Sequence, residues 1–210
     1  MTKLDWYFDF ISPFAYMQWV KLRRDHADID LNPRPVLFAA LLNHWGQLGP
    51  AEIPGKREFT YRHVIWRAEQ AGFPLVFPPA HPFNPLKALR LSVAAGNRLE
   101  VVDALFQFIW GEGRNIEDPA EFAAVAEKLG MADAAERIAD AAVKDQLRRS
   151  TEAAIEAGVY GIPTLVAGGE LFWGEDATDL ALAVAADPGV LERGELARAT
   201  RIPVGIQRKG

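Results

Sequence analysis

The sequence predicts an α/β protein in which one small β-sheet domain carries a large helical insertion. The chain begins with a strand, helix, strand pattern and ends with a strand, strand, helix pattern, and between them apolar residues recur at helical spacing. Because short strands bury their apolar faces only within a shared sheet, the two ends are expected to fold together. The predicted sheet domain comprises residues 1–38 and 158–210, and residues 39–157 form the inserted helical subdomain.

The N-terminal part of this pattern is a strand, a helix and a second strand. Leu4–Phe10 is rich in aromatic residues and alternates weakly, as a strand does, and Pro13–His26 follows with helical spacing. Ile29–Leu37 contains Pro33 and Pro35, which exclude a helix interior and favour a strand that lies at a sheet edge or has an irregular end.

The C-terminal part begins at Thr164–Ala167, where strand residues return. A turn at Gly168-Gly169 leads to a second short strand at Glu170–Trp173, and Asp176–Ala185 is the last predicted helix. Residues 187–210 have little periodicity, and we expect them to form an extended tail.

Composition and charge exclude several classes of function. The 28 acidic and 23 basic residues are mixed along the chain and give a net charge of -5, so no basic stripe is available for nucleic acid. No apolar run approaches the roughly 20 residues that span a bilayer. Lys3, Asp5 and Asp9 interrupt the apolar stretch that a signal peptide requires, so we expect a cytoplasmic protein with no membrane partner.

Metal and cysteine chemistry are not expected. There are no cysteines, which excludes disulfides, thiolate metal sites, a cysteine nucleophile and a dithiol redox cycle of the chain's own. The four histidines, His26, His44, His63 and His81, lack the i, i+4 spacing and the acidic neighbours of a metal site. We predict no metal and packing or solvent-facing roles for these side chains.

A serine and a proline directly follow the first predicted strand, in the run FDFISPFAY. Serine is a preferred N-cap and proline is favoured at the first helical position, so Ser12 and Pro13 are explained as a simple helix start. The same helix end concentrates free N–H groups and the positive end of the helix dipole. A thiolate beside Ser12 would be stabilised by both the hydroxyl and the helix, and in this cysteine-free chain it must belong to a bound molecule.

The run GVYGIPT supplies the second part of the predicted thiol site. Pro163 lies directly before the third predicted strand, where a cis X-Pro bond is plausible. In the predicted arrangement this loop packs against the start of the first helix and leaves the Ile162 backbone free to pair with an extended peptide. The two runs together predict a site for a thiol-containing peptide.

Six motifs carry a resemblance that covers the chain up to about residue 186: FDFISPFAY, GPAEIPGK, FPPAHPFNPLKALR, FIWGEG, GVYGIPT and LFWGED. With them the chain resembles the thioredoxin-fold proteins that carry a helical insertion, which include DsbA-like oxidoreductases, kappa-class glutathione transferases and 2-hydroxychromene-2-carboxylate isomerases. It is most similar to the isomerases. The resemblance implies a thioredoxin-like fold of this type, glutathione as the cofactor, and a homodimer.

The resemblance also implies a role for individual residues. Ser12 is expected to face the glutathione sulfur, as the catalytic residue. The other glutathione contacts are to the cysteinyl backbone, the glycine carboxylate and the γ-glutamyl ammonium, and they map respectively onto Ile162 with Pro163, Gln47 with Lys56, and Glu175 with Asp176. Gln47 replaces a family asparagine, and Glu175 stands where relatives often have a small or amide residue.

Several of these residues have simpler alternative roles. Lys56 is equally explained as a solvated charge at a helix start, and Asp176 as an N-cap. Most large aromatic residues are expected in the core, but Phe14, Trp45 and Tyr61 lie in motifs next to the predicted sulfur position and are chosen as the substrate pocket. Arg90 is expected to pair with a helix carboxylate rather than with a substrate carboxylate.

The function that the resemblance implies is glutathione-dependent isomerisation of an aromatic unsaturated keto acid, a small aromatic carboxylate of the 2-hydroxychromene-2-carboxylate type. Reversible addition and elimination of a thiolate would convert one alkene geometry into the other. The alternative is a kappa-type glutathione transferase, in which no elimination follows. A DsbA-like peptide-binding protein without redox activity is a more distant third.

Overall fold

A computed structural model describes residues 3–206 of the protein. Its sheet has four strands, β1 (Leu4–Phe8), β2 (Leu31–Pro35), β3 (Thr164–Ala167) and β4 (Glu170–Trp173), in the order β2-β1-β3-β4. β1 pairs with β2 in parallel and with β3 antiparallel, and β3 pairs antiparallel with β4. The two ends of the chain therefore share one sheet, as the sequence predicted.

The helices that lie between β2 and β3 in the sequence are α2 (Phe38–Trp45), α3 (Pro54–Ala71), α4 (Leu86–Ala94), α5 (Leu99–Phe106), α6 (Pro119–Lys128), α7 (Ala134–Arg137) and α8 (Ala141–Glu156). A π-helical turn at Gln107–Gly111 continues α5. Helix α1 (Pro13–Asp25) connects β1 to β2, and α9 (Thr178–Ala186) follows β4 after a 3-10 turn at Glu175–Ala177. Among residues 3–206, no helix is both long and apolar enough to cross a membrane.

The sheet is buried on both faces around the central strand β1. On one face Trp6 stacks on Phe8 at a ring-centroid distance of 4.3 Å, and both rings contact Phe106 of α5. On the other face Tyr7 packs in a separate apolar cluster with Leu41 of α2 and residues near the end of α8. Alternating side chains of a single strand thus hold the helical segment against both faces of the sheet.

Two strands are shorter than the sequence predicted. β1 ends at Phe8 rather than Phe10, because the Asp9 carboxylate accepts a hydrogen bond from the Ile11 N–H and turns the chain out of the ladder. β2 spans Leu31–Pro35 rather than Ile29–Leu37. It lies at the edge of the sheet, as its prolines led us to expect, because an edge strand can lack ladder donors.

The expectation of an extended tail is wrong for part of its length. Asp187 caps a 3-10 turn at Pro188–Glu192 by accepting the Gly189 N–H, and α10 (Gly194–Ala199) follows it. The local cap and the proline after it start these turns although the segment has no apolar periodicity. The last part of the predicted tail, 207–210, lies outside the described residues.

Candidate active site

Ser12 caps the first helix at the carboxyl end of the central strand. Its backbone is extended (φ -94°, ψ 117°), its Oγ accepts the Ala15 N–H at 3.2 Å, and Pro13 occupies the first turn of α1. The structural explanation for the Ser-Pro pair therefore holds. It does not exclude the chemical role, because the cap uses Oγ only as an acceptor and the hydroxyl hydrogen can still be donated.

The GVYGIPT loop reaches the same end of the sheet. Antiparallel pairing places Thr164 opposite Tyr7, so β3 starts where β1 ends, on the way to Ser12. The Ile162-Pro163 peptide bond is cis, and the Thr164 Oγ1 donates to the Gly161 carbonyl oxygen at 2.8 Å, which shapes the turn. Within the described part of the chain, no hydrogen bond occupies the N–H or C=O of Ile162.

The turn that carries Glu175 and Asp176 is attached to both of these elements. The Gly174 N–H donates to the Pro163 carbonyl oxygen at 2.9 Å. From α1, the buried Gln18 amide donates to the Gly174 carbonyl oxygen at 3.2 Å and to the Thr178 Oγ1 at 2.9 Å. The first helix, the cis-proline loop and the start of α9 therefore form one hydrogen-bonded unit.

The two acidic residues of this turn differ in environment. Glu175 is buried, and its carboxylate forms an ion pair with Arg67 of α3 at 2.5 Å. Asp176 is exposed and makes no ion pair with any described residue. Asp176 therefore offers the more accessible carboxylate, whereas Glu175 could hold an ammonium group only while sharing its charge with Arg67.

Gln47 lies on the segment that joins α2 to α3, Lys56 lies at the start of α3, and both side chains are exposed. Lys56 is in the first turn of α3, and Gln47 follows the left-handed Gly46 that ends α2. Among the described residues, no hydrogen bond or ion pair joins either side chain to Ser12. The end of α2, directly before Gln47, is hydrogen-bonded to the GVYGIPT loop, because the Trp45 Nε1 donates to the Val159 carbonyl oxygen at 3.0 Å.

The three predicted pocket aromatics are accessible to different degrees. Phe14 lies half-buried in the first turn of α1, and Trp45 is 42% exposed. Tyr61 is half-buried, and its hydroxyl lies 2.6 Å from the His81 Nδ1 and 2.9 Å from the His81 carbonyl oxygen. Tyr61 can therefore offer a ring edge to a ligand more readily than a free hydroxyl. No ring contact joins the three within the described residues.

Two ionisable residues beside Ser12, the buried Asp9 and the half-buried His81, are not among the site residues predicted from the sequence. Asp9 is fully buried, and burial raises its pKa to about 7 although backbone N–H groups stabilise the carboxylate. The His81 Nε2 hydrogen-bonds the carbonyl oxygen of Ile11, next to Ser12, and burial lowers the pKa of His81. The sequence signal for Asp9 is an acidic residue inside the apolar run FDFIS.

Two further expectations concern Arg90 and metal binding. The Arg90 Nε is buried and has no hydrogen-bond partner among the described residues, so the expected helix carboxylate does not pair with it there. In the same part of the chain, no group of three or more His, Asp or Glu side chains is arranged to hold a metal ion.

Comparison with known proteins shows the family to which this chain belongs. The model of the DSBA-like thioredoxin domain matches residues 3–184. A 2-hydroxychromene-2-carboxylate isomerase of Pseudomonas putida is 32% identical over 180 residues, which are 82% of this chain and 89% of that protein. The chain belongs to the 2-hydroxychromene-2-carboxylate isomerase family of DSBA-like thioredoxin domains.

The other similarities agree with this membership. A solved 2-hydroxychromene-2-carboxylate isomerase structure superimposes with a TM-score of 0.77 at 25% identity and covers 95% of this chain and 98% of its own. Glutathione S-transferase kappa 1 of Rattus norvegicus is 29% identical over 181 residues, 78% of this chain and 80% of that protein. The thioredoxin-like α/β fold and the isomerase resemblance predicted from the motifs are both confirmed.

Proposed function

We propose that this protein is a glutathione-dependent isomerase of an aromatic unsaturated keto acid, of the 2-hydroxychromene-2-carboxylate type. The observation that carries the proposal is the placement of Ser12, at the start of α1, at the same end of the sheet as a cis-proline loop whose Ile162 backbone is free. In a chain without cysteine, this arrangement suits a peptide that brings its own thiol. Relatives named as isomerases of this substrate support the choice of reaction.

The residues present fit glutathione. The free N–H and C=O of Ile162 offer an extended peptide two hydrogen bonds, as a strand edge would. The exposed Asp176 carboxylate suits the γ-glutamyl ammonium, and the exposed Lys56 and Gln47 suit the glycine carboxylate. Glu175, which is paired with Arg67, supplies a second carboxylate for the γ-glutamyl end of glutathione.

When bound, glutathione supplies a thiolate that can add to a conjugated carbon and be eliminated from it. The Ser12 hydroxyl donates a hydrogen bond toward the sulfur position, and the start of α1 directs its positive dipole end there. The same contacts favour the thiolate as attacking group and as leaving group, which suits a reversible catalyst. Phe14, Trp45 and the Tyr61 ring would line the side on which a planar aromatic acid binds.

Thiol accounting tests the reaction. Substrate absorbance and free thiol are followed together, with glutathione far below the concentration of 2-hydroxychromene-2-carboxylate. An isomerase completes many turnovers per glutathione while free thiol stays constant. A reaction that stops after one equivalent, with the thiol consumed, contradicts the proposal.

That outcome would instead support the second candidate, a kappa-type glutathione transferase. The 29% identity to a kappa-class enzyme favours this candidate, and the Ser12 site would serve both reactions. The distinction lies in whether the adduct is eliminated or released. The thiol balance measures this difference directly.

The same proposal includes a homodimer in the cytoplasm. The large apolar side chains of Phe59 and Trp66 on α3 are 65% and 57% exposed, which supports burial against a second copy. A chain without cysteine is compatible with a reducing compartment. Light scattering of the purified protein should give twice the 23.2 kDa chain mass, and a monomer would contradict the dimer.

A further inference from the structure

Two ionisable side chains, the buried Asp9 and the half-buried His81, hydrogen-bond both backbone groups of the residue directly before Ser12. The Ile11 N–H donates to the Asp9 Oδ1 at 3.1 Å, and the Ile11 carbonyl oxygen lies 2.9 Å from the His81 Nε2. The Ser12 N–H itself donates to the Asp9 carbonyl oxygen at 3.2 Å. The position of the Ser12 hydroxyl therefore depends on two side chains that do not touch it.

Each of these side chains also contacts the helical segment. The Asp9 Oδ2 accepts the Phe38 N–H at 2.9 Å, at the first residue of α2. The His81 Nδ1 lies 2.6 Å from the hydroxyl of Tyr61, which belongs to α3. Asp9 and His81 thus connect the Ile11–Ser12 turn to two different helices.

The hydrogen-bond partners define the protonation of His81. A carbonyl oxygen only accepts, so the Nε2 facing Ile11 must carry the hydrogen. Burial disfavours the imidazolium and lowers the pKa of His81, so the Nδ1 carries no hydrogen. The single hydrogen of the Tyr61 hydroxyl lies within reach of this Nδ1 and of the His81 carbonyl oxygen, to which it donates at 2.9 Å. His81 is a neutral donor to Ile11 and contributes no charge beside Ser12.

We propose that Asp9 and His81 are positioning residues that orient the Ser12 hydroxyl, and that the Asp9 carboxylate sets how strongly this position favours a thiolate. The proposal rests on the function above only in taking that thiolate to be glutathione's. An ionised Asp9 near the sulfur position disfavours a second negative charge, and a protonated one does not.

The groups around Asp9 are uncharged, so the ionisation of Asp9 itself determines the charge beside Ser12. The groups that act on its pKa besides burial are the backbone N–H groups of Phe10, Ile11 and Phe38. His81 faces it across Ile11 as a neutral ring, with Tyr61 behind. At the start of α1, the N-cap Ser12 is uncharged, and its N–H donates to the Asp9 carbonyl oxygen. No charged side chain of the described residues is among the causes that shift this pKa.

The chain permits a test that does not need glutathione. Because it has no cysteine, Ser12→Cys introduces one thiol at the position of interest, and its pKa can be measured from the pH dependence of alkylation by iodoacetamide. Asp9→Asn in this background should lower the pKa of the introduced thiol by about 0.5 to 1 unit, because a neighbouring negative charge is removed. His81→Leu should raise the pKa of the introduced thiol, because the Ile11 carbonyl oxygen loses the donor that holds the turn before position 12. His81→Gln retains a donor near the Nε2 position and should restore the original thiol pKa.

Two variants serve as matched controls. Asp118, like Asp9, accepts two backbone N–H groups, but at the start of α6, so Asp118→Asn should leave the pKa of the introduced thiol unchanged. His63 stacks on Phe59 on α3, so His63→Gln should also have no effect. Thiol pKa values in Asp9→Asn and His81→Leu that equal those of the controls would overturn the proposal.

A measurement on the Ser12→Cys chain itself covers the case in which Asp9→Asn does not fold. A carboxyl group that titrates near neutral pH beside the thiol should give a two-step alkylation profile, since interacting groups titrate as a pair. A single-step profile overturns the electrostatic part of the proposal. Failure of the wild type to bind glutathione in calorimetry would refute the proposed function instead, and the alkylation results would still decide the roles of Asp9 and His81.

Discussion

Removing Arg67 should show that Glu175 is first a structural partner and only secondarily a ligand. The Glu175 side chain is 9% exposed, the Arg67 side chain is 28% exposed, and their charged atoms lie 2.5 Å apart. Leaving one charge of a fully buried pair unpaired costs about 3–5 kcal/mol. Because Arg67 is partly exposed and both residues line a cavity of about 110 Å³, water can partly solvate the remaining carboxylate, so we expect about 2 kcal/mol for Arg67→Met.

A double-mutant cycle measures this pair. Arg67→Met, Glu175→Gln and the double variant are unfolded in urea and followed by tryptophan fluorescence. The coupling free energy should be about 1.5 kcal/mol, within the range for residues in direct contact. Arg148→Met is the matched control, because its ion pair with Glu152 is exposed on both sides and should contribute less than about 0.5 kcal/mol. Additive effects in the cycle would refute the structural role of Glu175.

The other predictions concern binding and pH. Lys56→Ala and Asp176→Ala should each raise the glutathione KM roughly 10- to 150-fold with little change in kcat, as expected for the loss of hydrogen bonds to charged groups, and unchanged KM values in both would remove them from the site. Burial raises the Asp9 pKa from 3.8 to about 7, so the folded state holds a proton that the unfolded state releases between these values. The free energy of unfolding should therefore fall as pH rises across that window, by at most about 1.4 kcal/mol per pH unit, and this slope should be reduced in Asp9→Asn; equal slopes in urea titrations of the two proteins would contradict the assignment.

Local sequence signals predicted the parts of the fold that depend on neighbouring residues. The Gly168-Gly169 pair predicted the turn between β3 and β4, and both glycines have positive φ, 59° and 87°, which a two-residue hairpin turn of this kind requires. The Ser-Pro pair predicted the start of α1, and the prolines at positions 33 and 35 predicted an edge strand. In each case the residue's own backbone preference decides the structure.

The features that the sequence did not predict depend on residues far apart in the chain. The Arg67–Glu175 pair and the contact of His81 with Ile11 join positions whose proximity follows only from the packing of helices on the sheet. Aspartate is usually exposed, and the burial of Asp9 involves the distant start of α2, where the Phe38 N–H donates to its carboxylate. The roles of Gln47, Lys56 and Asp176 toward glutathione stay predictions, since family motifs suggested them and, among the described residues, their exposed side chains have no partner at the site.

The most direct test of the central claim is the ionisation of glutathione bound beside Ser12. Thiolate absorbance near the ultraviolet edge is titrated against pH in the wild type, in Ser12→Thr, which keeps the hydroxyl, and in Ser12→Ala, which removes it. We predict that bound glutathione has a lowered thiol pKa in the wild type, a similar value in Ser12→Thr, and a raised value with slower turnover in Ser12→Ala. The same thiolate signal in all three proteins would mean that Ser12 is only a helix cap and would contradict the account.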